Sequence, residues 1–282
     1  MSMKKITYHS SPLNYDYLLD KNPTSCERRI KYFLHMHNDY EILFFFDGNA
    51  EYSIENVTYP LKKNTLLFIR PMEYHGLHVL SDVPYERAVL NFSEQILNAE
   101  QKKIVNNLGS YYHTSKNSPV YNVFMLLKEL EHTFDETEFQ NLKSSALSTI
   151  LTVLKYDESG SATIEGSTNG KTNPLTEIID YINENPCENL NAKVIARHFF
   201  VGEAWLNKSF KTQMHISLKH YINQKKILFA QSKILDGAPI KAVAEMCNYD
   251  NYSTFYRQYL TFLHHEPAYD KEIYAVSQKS RP

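Results

Sequence analysis

Between residues 190 and 269 one helical pattern is written twice, and each copy carries side chains able to read nucleic acid. In the first copy Glu203, Ala204, Asn207, Lys208 and Lys211 fall on the outer side of a helix, while Trp205, Leu206 and Phe210 recur at helical spacing and are expected to face inward. In the second copy Tyr252, Ser253, Tyr256 and Arg257 lie outward, opposite Phe255 and Tyr259. Asn can pair with adenine through two atoms, Lys can reach guanine or a phosphate, Ala can touch a thymine methyl, and Arg257 is the best candidate for a base contact. A second chemistry sits near the start of the chain. His35 and His37 are two residues apart in a strand-like stretch, so their rings can converge with the Glu41 carboxylate on one face.

The elements that must hold the first group are short helices joined by tight turns. Val194, Ile195 and Ala196, a gap, then Gly202 open one pair; Ile240, Val243 and Ala244, then Asn248, Tyr249 and Asp250 open the other. This is helix-turn-helix spacing, whose second helix enters a major groove, and two in tandem imply one chain reading two successive groove segments of double-stranded DNA. The bland alternative is that both outer faces are merely solvated.

Bulk properties set wide bounds. A chain of 282 residues with 43% hydrophobic composition is long enough for two domains. No apolar run approaches a membrane span and the start, MSMKKITYHS, lacks the apolar stretch of a secretory signal, so a cytoplasmic protein without membrane contact is expected. Cys26, Cys187 and Cys247 are too few and scattered for a disulfide framework and read as reduced, mostly buried thiols. The net charge of -2 hides an asymmetry: from Pro174 onward 13 Lys and Arg face 11 Asp and Glu, which is +2 and leaves -4 in the remainder. So slight a basic balance does not by itself imply nucleic acid.

Composition also divides the chain. Residues 157–173 hold three of the eight glycines and almost no large apolar side chain, as a flexible linker does. The expected order is a barrel over 1–115, a helical dimerisation or coupling segment over 116–157, a linker over 158–173 and a DNA-binding domain over 174–282. Within 1–115, aromatic and β-branched runs at 40–46, 50–54, 65–69 and 86–92 predict short antiparallel strands. Two apolar stripes follow, Val123, Leu126, Leu127, Leu130 and Phe134, then Leu142, Ala146, Leu147, Ile150, Leu151 and Leu154. Such helices can cover the barrel or pair with a second subunit.

The segments PLTEIIDYI, NAKVIA, WLNKSFK, YINQKKILFAQSKIL, IKAVAEMCNYDNYSTFYRQY and HEPAY resemble, in order and spacing over about 105 residues, the DNA-binding domain of the AraC/XylS family of transcription regulators. The departures concern turns and charges. Where the family places glycines the chain has His215, Asn248 and His264, residues that tolerate the positive φ those turns call for. Gly202 replaces a serine cap, and Leu260 and Thr261 stand where lysines are usual, implying fewer phosphate contacts.

The stretch HMHNDYEILFFFDG looks like the first cupin motif through His35, His37, Glu41 and Gly48, and RPMEYH supplies Pro71 and His75 near the place of the second motif's histidine. The resemblance implies an α+β chain: an N-terminal cupin-like β-barrel with a helical hairpin, then an all-α domain with two helix-turn-helix motifs. It implies a small-molecule effector, with a carbohydrate the expected class, at His35, His37, Glu41, Arg70 and His75. No cofactor and no catalytic residue is expected. A metal, absent in the favoured reading, would take His35, His37, Glu41 and His75; alternatively these residues only hold the barrel lip together, and Arg70 is a plain strand-end charge. The function so implied is a ligand-responsive transcription regulator acting as a homodimer, with RNA polymerase a partner if it activates. A metal-dependent cupin enzyme and an effector-independent regulator are the alternatives.

Overall fold

The computed structural model describes residues 12–21, 34–157, 160 and 174–279; Cys26 and, apart from Gly160, the 158–173 segment read as a linker lie outside the described residues. The chain divides into two compact units, Ile6–Thr168 and Asn169–Pro282.

In the N-terminal unit the strands are β1 (Leu13–Asp20), β2 (Tyr40–Asp47), β3 (Ala50–Ile54), β4 (Val57–Pro60), β5 (Thr65–Ile69), β6 (His75–Val79), β7 (Tyr85–Phe92) and β8 (Tyr111–His113). They form a five-stranded antiparallel sheet, β1-β7-β2-β5-β8, and a three-stranded one, β4-β3-β6. Strand β2 is buried on both faces, so its run from Ile42 to Phe46 is apolar at successive positions. Leu43 and Phe45 face the small sheet and pack with Tyr52, Ile54 and Leu77. Tyr40, Ile42, Phe44 and Phe46 face a layer of helices. The same parity sends Glu41 to the side shared by the two sheets.

The helical layer is α1 (Ala99–Val105), α2 (Pro119–Leu130) and α3 (Glu136–Lys155). Ala146, Leu147, Ile150, Leu151 and Leu154 of α3 are buried against the large sheet, so the pair covers the sheet. For α2 the expected stripe needs correcting. The buried row is Val120, Phe124 and Leu127, with the Phe124 ring stacked on Phe44 at 4.9 Å, while Leu126 is 44% and Phe134 38% exposed. Rows through 120 and through 123 are both apolar, and the aromatic contact with β2 selects the first.

The C-terminal unit is all α: α4 (Pro174–Glu184), α5 (Ala192–His198), α6 (Glu203–Gln213), α7 (Leu218–Leu235), α8 (Ile240–Met246), α9 (Tyr252–Leu263) and α10 (Pro267–Lys279). Helix α7 runs through its middle with Tyr221, Ile227, Leu228, Ala230 and Ile234 buried. Phe210 of α6 meets Tyr221 edge-on at 5.3 Å. On the other side the buried Asp270 carboxylate of α10 accepts hydrogen bonds from Tyr259 Oη at 2.5 Å and Gln231 Nε2 at 3.2 Å, tying α9 and α7 together.

His215, Asn248 and His264 have φ of 55°, 55° and 60°, the left-handed conformation for which glycine is favoured. Phe200, in the turn between α5 and α6, shares it with φ 55° although its side chain is 96% exposed and packs on almost nothing. A left-handed bulky residue costs about 1–2 kcal/mol, and the freer unfolded chain of a glycine takes back part of that. Phe200→Gly is therefore expected to raise the unfolding free energy by about 0.5–1 kcal/mol in urea titration; a loss of stability would show that Phe200 makes a contact of value.

Candidate functional site

Three imidazoles meet where the 34–37 segment crosses the start of β6. His35 and His75 form an antiparallel bridge, each backbone N–H donating to the other's carbonyl at 2.8 Å. Their rings lie 4.4 Å apart, and the His37 ring stands 4.9 Å from that of His75. The close approach needs Gly76: a Cβ there would come within 2.9 Å of the Leu34 Cα. Gly76→Ala is expected to push the 34–36 segment away, opening the cluster and costing about 1–3 kcal/mol in thermal unfolding; an unchanged melting temperature would contradict this.

Glu41 enters from β2 at the base of the cluster. Its Oε1 accepts from Tyr52 Oη at 3.0 Å, and its Oε2 faces His37 Nε2 at 3.4 Å and His75 Nε2 at 3.8 Å. The other ring nitrogens are already committed: His37 Nδ1 lies 3.0 Å from the Asp39 carbonyl and His75 Nδ1 2.6 Å from the Glu73 carbonyl. A carbonyl only accepts, so each Nδ1 carries the hydrogen and each neutral ring turns a lone pair toward the carboxylate. Lone pairs facing a carboxylate repel unless a proton or another electron-poor group lies between them.

His37 can take the proton. Burial works against its charged form, but the hydrogen bond and charge of Glu41 prevail and raise its pKa. Glu41 is likewise opposed by burial yet held well below the usual carboxylate range by His37 and the other rings. His75 cannot do the same, because complete burial and the neighbouring His35 push its pKa well down. Its Nε2 is a buried atom with no hydrogen-bond partner among the described residues. Asn91, directly across from Glu41 in the β2–β7 register, has a buried amide oxygen in the same condition.

The structure thus brings His35, His37, Glu41 and His75 together. It engages Arg70 elsewhere, where the guanidinium donates to Ser110 Oγ at 3.2 Å and to the Leu108 carbonyl and pairs with Glu73 at 3.7 Å. That makes Arg70 a clamp on the loop before β8. Tyr52 joins the histidine cluster, and its signal in the sequence is strand parity with the buried Ala50 and Ile54, which points it inward. His35, His37 and His75 offer ring nitrogens all within 4.8 Å of one another, and the donor set fits a divalent ion.

In the C-terminal unit Glu203, Ala204, Asn207, Lys208 and Lys211 are exposed on α6, as are Tyr252, Ser253 and Arg257 on α9, with Tyr256 half-buried. Asn207 Nδ2 donates to the Glu203 carbonyl at 3.0 Å and Arg257 Nε to the Ser253 carbonyl at 3.4 Å. Those bonds hold each side chain along its helix and leave the Asn207 oxygen and the outer guanidinium nitrogens for a partner. One expectation is overturned: Trp205 is 41% exposed, whereas Leu206 and Phe210 are fully buried. The core row is Leu206, Phe210 and Met214, and a residue one position before Leu206 is turned roughly 100° away from it. Gly202 caps α6 without a side-chain bond.

Two family descriptions match the chain, an AraC-like ligand binding domain over residues 24–148 and a helix-turn-helix domain over residues 195–269. YfiF of Bacillus subtilis, an uncharacterised HTH-type transcriptional regulator, is 24% identical over 231 residues, 75% of this chain and 70% of its own length. Among solved structures, ToxT from Vibrio cholerae aligns over 93% of this chain and 99% of its own at 15% identity with a TM-score of 0.39. The C-terminal domain of AraT, a response regulator from Geobacillus stearothermophilus, aligns over 37% of this chain and 88% of its own at 19% identity and a TM-score of 0.35.

Proposed function

The chain belongs to the AraC/XylS family of transcription regulators, an AraC-like ligand binding domain joined to a helix-turn-helix DNA-binding domain, and from that premise we propose how it works. Helices α6 and α9 each enter a major groove, at positions about 34 Å apart on one face of the duplex. Asn207 and Arg257 read bases. Glu203, Ala204, Tyr252, Ser253 and Tyr256 complete the contact surface, and Lys208 and Lys211 hold phosphates. The observation that carries this reading is the division of each helix into a fully buried apolar row and an exposed polar one. With Leu260 and Thr261 in place of lysines, α9 contributes less affinity than α6.

The barrel's effector is a small polar molecule held at His35, His37, Glu41 and His75. What supports this is the surplus of acceptors there, which suits a ligand rich in hydroxyl donors, the carbohydrate class expected from the sequence, or a cation. Arg70 shapes the barrel from outside the cluster. Binding alters how two DNA-binding units of a homodimer are held, and it does so only if the ligand prefers one arrangement. The regulator acts in the cytoplasm and contacts RNA polymerase if it activates. Among the described residues no helix is long and apolar enough to cross a membrane. Because the family comprises regulators, the enzyme alternative is set aside.

The test is DNA affinity of the full chain with and without candidate ligands. His37→Ala and Glu41→Gln are expected to keep ligand-free DNA binding and to lose the response. A response unchanged in both variants would place the effector elsewhere.

A further inference from the structure

We propose that Cys187 and Cys247 form a peroxide-oxidisable thiol pair, a modification site whose product is a disulfide within the C-terminal unit. The bond would join the end of α4 to the turn of the second helix-turn-helix. The two Sγ atoms lie 3.2 Å apart although 60 residues separate them along the chain. Bonded sulfurs stand about 2.0 Å apart, so a movement of roughly 1 Å makes the bond. Neither DNA readout nor an effector is needed for it.

The fold holds the two sulfurs together from both sides. Cys187 lies just past α4 and is partly exposed. Cys247 is the C-cap of α8 and fully buried, its N–H donating to the Val243 carbonyl at 2.9 Å. Asn248 follows in the left-handed conformation, and its Nδ2 donates to the Cys187 carbonyl at 2.7 Å. That bond ties the backbone of one cysteine to the residue after the other, so the turn itself brings the sulfurs together. The next residue, Tyr249, meets Phe255 of α9 edge-on at 5.3 Å, and Lys226 of α7 places its ammonium 5.6 Å from the centre of the Tyr249 ring. Among the described residues no third His, Cys, Asp or Glu completes a metal-binding group with the pair, which leaves sulfur chemistry as its use.

Position decides which thiol reacts first. The hydrogen bond from Cys247 lowers the Cys187 pKa; burial opposes this and the charge of Lys226 assists it, so the partly exposed sulfur is favoured as the nucleophilic thiolate. Cys247 is pushed the other way by that same bond and by burial, and keeps its proton. The oxidant is a peroxide. Cys187 sulfur attacks one peroxide oxygen: the S–O bond forms, the O–O bond breaks, and the leaving hydroxide takes a proton to become water. Cys247 sulfur then attacks the sulfenic sulfur of Cys187: the S–S bond forms, the S–O bond breaks, and the departing oxygen leaves with the Cys247 proton as a second water. Two thiols lose two electrons and two protons, and one peroxide becomes two waters.

The disulfide closes a loop that contains α5 to α8, hence the whole first helix-turn-helix. Closing so long a loop removes freedom from the unfolded chain, while the folded unit already holds the sulfurs in contact. Oxidation is therefore expected to stabilise the C-terminal unit. Trp205, the chain's single tryptophan, stands on α6 inside that loop and reports its unfolding within the full-length protein.

Reduced full-length protein, briefly exposed to hydrogen peroxide at doses that oxidise free glutathione, is expected to yield a Cys187–Cys247 linked peptide on mapping, absent after dithiothreitol. The oxidised protein is expected to unfold at higher urea by Trp205 fluorescence, and dithiothreitol to return the midpoint to its starting value. In Cys187→Ser, at the partly exposed position, Cys247 is expected to stay reduced. In Cys247→Ser the sulfenic acid on Cys187 is expected to persist long enough for dimedone to trap it. Both thiols still alkylatable at those doses, links formed only through Cys26 or between chains, or Cys247 oxidising alone in Cys187→Ser would overturn the site. A linked peptide whose formation lowers the urea midpoint would mean that the folded unit must distort to make the bond, and would overturn the claim that the contact is poised for it.

Discussion

Phe210→Ala is expected to cost about 3–5 kcal/mol, the range for deleting a fully buried aromatic side chain. Phe210 has no exposed surface, lies in the row Leu206, Phe210 and Met214, and meets Tyr221 edge-on at 5.3 Å. That row is what presses α6 against α7, so its loss frees the first recognition helix and removes specific and random DNA binding together. The informative control is Trp205→Ala. With 41% of its surface exposed and a place beside the polar face, Trp205 is expected to matter little for melting and more for DNA. Circular dichroism melts of the two variants check this, and equal losses would mean that Trp205 belongs to the core after all.

The second large effect concerns base readout. Asn207→Ala or Arg257→Ala is expected to reduce the free-energy difference between specific and random DNA by about 1–3 kcal/mol. Each side chain is exposed and pinned along its helix by one bond to a carbonyl four residues back, an arrangement that limits the entropy lost on meeting a base. Lys208→Ala and Lys211→Ala are expected instead to weaken both kinds of DNA by similar factors and to flatten the salt dependence. Competition binding at two salt concentrations separates these behaviours. Equal loss on both DNAs for Asn207→Ala and Arg257→Ala would turn them into backbone contacts.

Much of this was readable from local pattern. The β2 run declares a strand buried on both faces, and its parity places Glu41 with Leu43 and Phe45. The rows 206, 210 and 255, 259 declare the inner faces of α6 and α9. What stayed hidden depends on non-local contacts. His35 and His37 do not converge as alternate residues of one strand; His35 is held by its bridge to His75, and the Met72 N–H fixes the His37 carbonyl at 2.7 Å. In α2 two rows were equally apolar until the Phe44–Phe124 stack chose one. Trp205 is apolar yet lies outside the core row, because helical angle and not hydrophobicity decides which residue reaches the core. Arg70 had the right chemistry beside the right motif, and the loop at Leu108 and Ser110 takes it.

The central claim is that one chain reads two successive groove segments, with α6 the stronger reader. Selection of binding sites from a random duplex pool by the full-length protein tests it most directly. The expected product is a motif with two short blocks centred about 10–10.5 base pairs apart, one helical turn, in which Asn207→Ala erases only the more strongly conserved block and Arg257→Ala only the weaker. A single block, or a pool without sequence enrichment, would contradict it.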